Sequence, residues 1–173
     1  AYRYGDIWTA HAVRFNWGEP EDRSIIRPYQ LQPYGPAGSF QAGLGGAGAA
    51  FAYPAIDLDN AFRGEVVFSY SGTGHYGSTA HVDLDLGAWV LPGWFLALGV
   101  DNYNDLVNAG TAANPFRWGD YYGCDLDPYD SKTFWMYGEY AASTTTWGTR
   151  VGAASRNGPG VLSVSPSPGL VSA

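Results

Sequence analysis

Short runs of β-type residues, alternating in the first at 7–13 and more continuously apolar in others such as 94–98, recur along the chain, separated by Gly, Pro, Asn and Asp. A period of two belongs to a β-strand with one buried face, because successive side chains point to opposite sides of a sheet. The pattern predicts strands at 7–13, 24–31, 40–44, 53–59, 65–71, 78–84 and 94–98, and again at 118–127, 133–140 and 147–154. Pro28 marks the second strand as an edge or a bulge, since proline lacks the donor that a central strand needs. Residues 65–71 carry the strongest strand signal, being rich in Val, Phe, Tyr and Ser. The Gly/Ala run at 43–50 reads as a loop. So do residues 99–116, with a short helical turn at 103–107.

The strands group into three blade-like units, 1–50, 51–116 and 117–156, within one all-β domain at 1–156. From 157 to 173 the composition turns to Ser, Pro and Gly, which suits a linker or the first strand of a following domain. The chain begins at Ala1 inside what reads as a folded region, so the expectation is a mature, processed or excerpted piece.

Composition narrows the class. Aromatics make up 16% and charged residues only 14%, with 24 Gly, a balance that suits short strands and tight turns rather than helices. Acids outnumber bases sixteen to nine, and the net charge of −7 argues against nucleic-acid binding. Asp, a turn residue and a calcium ligand, dominates the acids over Glu. No apolar run approaches the ~18 residues of a membrane-spanning helix, so membrane insertion is not expected. Cys124 is the only cysteine, which excludes an intrachain disulfide and suits a small buried hydrophobe.

The second and third units share an outline. Each leads with an aromatic strand ending in Asp-x-Asp (Asp57-Leu58-Asp59 and Asp125-Leu126-Asp127), then a turn, a strong strand and a return strand. With the 99–116 loop set aside, the spacing approaches the roughly 40–50 residues of a propeller blade. The series Ile7-Trp8-Thr9-Ala10-His11, Tyr53-Pro54-Ala55-Ile56, Arg117-Trp118-Gly119-Asp120-Tyr121, Thr133-Phe134-Trp135 and Trp147-Gly148-Thr149-Arg150 resembles the C-terminal blades of secreted bacterial proteins with sialidase-like (BNR/Asp-box-type) β-propeller repeats. The tail Leu162-Ser163-Val164-Ser165-Pro166 is similar to the opening strand of a BACON, immunoglobulin-like module. The resemblance implies antiparallel propeller blades, too few here to close a ring. The remaining blades would be supplied elsewhere, or cleaved off and retained as a separate chain. It also implies a secreted or cell-surface location.

Several residue sets carry candidate chemistry. Asp125, Asp127 and Asp130 place carboxylates within a few residues, and oxygen-rich clusters of this kind suit calcium. Their alternative role is to cap backbone N–H groups in a turn, as in an Asp-box, where Trp135 takes the place of the packed Trp. The usual Gly of that box is absent. Arg117, Asp120, Glu139, Tyr140 and Arg150 supply the residue types of a sialidase, though Arg117 and Asp120 also suit an ion pair between blades. His11, His75 and His81 show no zinc-ligand spacing and read as structural or surface histidines. Trp17, Trp89, Trp94, Tyr121 and Tyr122 lie near turns, where aromatic platforms meet sugars or proteins. Trp8, Trp118, Trp135 and Trp147 are expected to pack in the core or between blades. The function expected is a structural or adhesive module contacting other protein chains. The alternatives are a carbohydrate-active hydrolase and a carbohydrate-binding module.

Overall fold

A computed structural model of the chain describes residues 1–35, 39–40, 42–104 and 118–155. Its described residues form β-strands and no helix. The strands are β1 (Tyr2–Arg3), β2 (Asp6–Phe15), β3 (Arg23–Leu31), β4 (Ser39–Phe40), β5 (Ala49–Leu58), β6 (Arg63–Gly72), β7 (His75–Asp85), β8 (Ala88–Ala97), β9 (Gly123–Leu126), β10 (Thr133–Ala141) and β11 (Trp147–Ser155). They pair antiparallel, each with its chain neighbours, into a first sheet β1–β4, a central sheet β5–β8 and a third sheet β9–β11. The all-β reading therefore holds. Among the described residues the sheets stack without closing into a ring. Residues 105–117, including Arg117 and the end of the predicted helical turn, and the 157–173 tail lie outside the described residues.

Alternation on β6 and β7 places each face of the central sheet. Val66 and Phe68 on β6, with Ala80 and Val82 on β7, meet Ile26 and Leu44 of the first unit. Trp8 completes that side against Leu58 and Leu84. The opposite face presents Val67, which packs with Leu96 against Tyr122, Cys124, Phe134, Met136 and Ala154 of the third unit. Phe134 is wholly buried, and removing a ring of this size from water stabilises a fold by about 1.5–3 kcal/mol. The β6–β7 hairpin closes at Gly74, whose φ of +85° a side chain would oppose. Gly138 serves a different need. A Cβ there would lie 2.6 Å from the Thr79 methyl and run into the Tyr122 ring, so glycine lets β10 approach the central sheet.

A carboxylate fastens all three sheets together. Arg3 Nη2 on β1 donates to Asp57 Oδ1 at 2.9 Å and Oδ2 at 3.1 Å, while Leu126 N on β9 donates to Asp57 Oδ2 at 2.8 Å. Arg3 Nε also donates to the Leu58 carbonyl at 2.6 Å.

Several stretches differ from the pattern-based expectation, among them 118–127, where only Gly123–Leu126 forms a strand. β5 starts at Ala49, inside the expected 43–50 loop, because Ala49 pairs with Gly72 and Thr73 N donates to the Gly48 carbonyl. β8 covers Ala88–Ala97 rather than 94–98. Most of its side chains are exposed on an edge, so burial imposes no alternation there.

Candidate functional site

Asp127 and Asp130 sit at the β9–β10 turn, and their oxygens are engaged with the chain itself. Asp127 Oδ1 accepts from Tyr129 N and Oδ2 from Trp135 Nε1, at 2.8 and 2.9 Å. Asp130 Oδ1 accepts from Lys132 N and Thr133 N, and Oδ2 from the Thr133 hydroxyl at 2.6 Å. These bonds hold the Asp130 carboxyl below its usual range, the Thr133 hydroxyl contributing most. Asp125 is exposed and stands across from Trp135. The β5–β6 turn uses the same device: Asp59 Oδ1 accepts from Ala61 N and Arg63 N, and Oδ2 from the Arg63 guanidinium. In both turns the residue before the return strand's lead-in takes a left-handed φ, Phe62 at 57° and Ser131 at 54°.

The hydrolase-type residues divide between two faces of the third sheet. Register pairs Glu139 with Thr149, and Gly138 with Arg150. Glu139 therefore lies on one face, while Tyr140 and Arg150 lie on the other. Glu139 is buried, and this desolvation raises its pKa; the Gly119 N–H opposes the shift and the nearby Asp120 charge adds to it. Arg150 Nε is buried with no hydrogen-bond partner among the described residues. So the structure brings Asp120 to Glu139, and sets Arg150 and Tyr140 apart from them.

The outward face of the third sheet is aromatic. Trp135 and Tyr137 on β10, with Trp147 and Val151 on β11, are 44–55% exposed. An antiparallel sheet with one wet face normally alternates apolar-in with polar-out. Here both faces carry large apolar side chains, since Phe134 and Met136 fill the inward positions.

A second concentration of chemistry lies between the central and third sheets. Asp57, Glu65 and Asp83 are direct cross-strand partners on β5, β6 and β7, so three carboxylates form one row on the same face. Like charges placed opposite one another destabilise a sheet. Arg3 answers Asp57. His81, two residues before Asp83, shares that face, and its Nδ1 lies 3.0 Å from Glu65 Oε2. Glu65 and His81 are fully buried. Burial pushes the His81 pKa down to about 4, against a smaller upward pull from Asp83, so the imidazole is neutral at pH 7. Ligand-type atoms of Glu65, His81 and Asp83 all lie within 4.8 Å of one another. Sequence spacing concealed this trio, because the residues belong to two strands and meet only through the β6–β7 register. Cys124 stands nearby, donating to the Glu65 carbonyl, and burial raises its thiol pKa well above the usual value.

Compared with protein-family models, with curated proteins and with solved structures, the chain matches none.

Proposed function

We propose that this chain is a propeller-type structural module of a secreted or cell-surface protein, and that the outward face of its third sheet docks a further antiparallel sheet from another chain. The observation that carries the reading is the row Trp135, Tyr137, Trp147 and Val151, apolar where a solvated face calls for polar residues. Continuity supports the choice of occupant. The inward face of the same sheet already packs on a sheet through Phe134 and Met136, using the same classes of side chain. The resemblance to BNR-type propellers points the same way. Native mass spectrometry of the chain from its source tests it. The expected mass is well above 18.6 kDa, falling to the lone chain when Trp135→Glu and Tyr137→Glu are combined. A wild-type monomer whose outward face is fully open to hydroxyl-radical labelling would sink the reading.

Carbohydrate binding has one observation in its favour. A cavity of about 410 Å³ beside the central sheet is walled by Phe51, Phe68, Tyr70, His75, Trp94 and Phe95. His75 and Phe95 stack there at 5.3 Å, with Tyr70 edge-on to both. Aromatic planes are the surfaces on which sugar rings stack. Glycan-array binding that is lost on Trp94→Ala would favour this reading over sheet docking.

A further inference from the structure

We propose that Glu65, His81 and Asp83 form a binding site for one divalent transition-metal ion of the zinc type, set between the central and third sheets. The geometry is specific. One imidazole and two carboxylates converge, with their ligand-type atoms within 4.8 Å of one another. Imidazole and carboxylate are both zinc ligands, and three protein donors with a position left for water is the layout of open zinc sites. The mixture of one nitrogen and two oxygens distinguishes the site from the all-oxygen sets that calcium and magnesium prefer.

The second observation is the pair that would hold the ion. His81 Nδ1 faces Glu65 Oε2 at 3.0 Å, and both side chains are wholly buried, so a cation taking the place of the proton between them meets two preset donors away from water. Charge points the same way. The Glu65↔Asp83 register pair sets two carboxylates opposite each other in a low-dielectric layer. A dication with two carboxylates and a neutral imidazole makes a site without net charge. Asp83 is the member that is not fully buried, which puts the way in on its side.

The site is independent of the docking face, which lies on the other side of the third sheet. Its test is metal uptake by the full chain, stripped with chelator, loaded with Zn²⁺ and dialysed. Elemental analysis should give one ion per chain, and Zn²⁺ should raise Tm while Ca²⁺ at the same concentration does not. His81→Gln, Glu65→Gln and Asp83→Asn should each weaken Zn²⁺ binding by more than about tenfold, whereas His11→Ala with His75→Ala should leave it unchanged. If the three site variants do not fold, X-ray absorption of the zinc-loaded wild type decides, with one imidazole and otherwise oxygen donors expected. The proposal is overturned by no retained zinc, by an equal response to Ca²⁺, by uptake that depends on His11 or His75, or by a coordination sphere with sulfur or more than one imidazole.

Discussion

Among the described residues the central sheet has neighbours on both faces, whereas the third sheet has one. β6 and β7 bury every position of their middle stretches, 64–69 and 78–82, apolar toward the first sheet and mixed polar and apolar toward the third. β10 alternates strictly in burial at its start, yet not in chemistry: Phe134 and Met136 are buried while Trp135 and Tyr137 are exposed. Similar aromatic side chains therefore do different work according to what lies opposite them. On the inward face they build a core, and on the outward face they leave a surface in want of a neighbour.

The adjacent pair Phe134 and Trp135 tests that contrast most directly. Phe134→Ala should cost about 3–5 kcal/mol, because a fully buried ring leaves a cavity between two sheets. Trp135→Ala should cost under about 1 kcal/mol in the isolated chain, despite loss of the indole bond to Asp127. Urea unfolding of both variants measures the difference, and equal losses would break the comparison.

Acid should act on the dry face of the central sheet. In metal-free protein the folded chain holds His81 neutral down to a pKa of about 4, while the ordinary value is 6.5. The unfolded chain therefore takes up a proton that the folded chain resists. This part of the stability is fully present above pH 6.5 and is lost as pH falls toward 4, to a total on the order of 3 kcal/mol. His81→Gln should flatten the curve of stability against pH across that window. An unchanged slope would mean that His81 is hydrated in solution.

A smaller effect sharpens the picture of how closely the sheets approach. Gly138→Ala sets a methyl group against Tyr122 and Thr79, and should destabilise by about 1–3 kcal/mol. Thermal unfolding would show it, and a neutral result would mean that the third sheet can move away at little cost.

The strands β6, β7 and β10 were legible in the residues, and so was the inward place of Trp8, which is 2% exposed. Alternation states that residues 134 and 135 face opposite ways. It does not state which face has a neighbour, so Trp135 and Trp147, expected in the core or between blades, are exposed among the described residues. Tyr122 shows the converse. Near a turn it suggested a surface platform, but its hydroxyl donates to the Glu139 carbonyl at 2.9 Å and its ring is buried. The Asp turns were readable as turns, because Asp caps the backbone within a few residues. The Glu65–His81–Asp83 trio was not, since cross-strand register is a property of the folded hairpin rather than of local spacing.

Asp57 gives the stack a mechanical property. Its carboxylate holds Arg3 near one end of the described chain and the Leu126 amide in the last sheet. Tension that separates the first sheet from the central one, and tension that lifts the third sheet away, converge on the same pair of oxygen atoms. A chain pulled from either end would load this one carboxylate from both sides, in addition to the apolar contacts that join each pair of sheets.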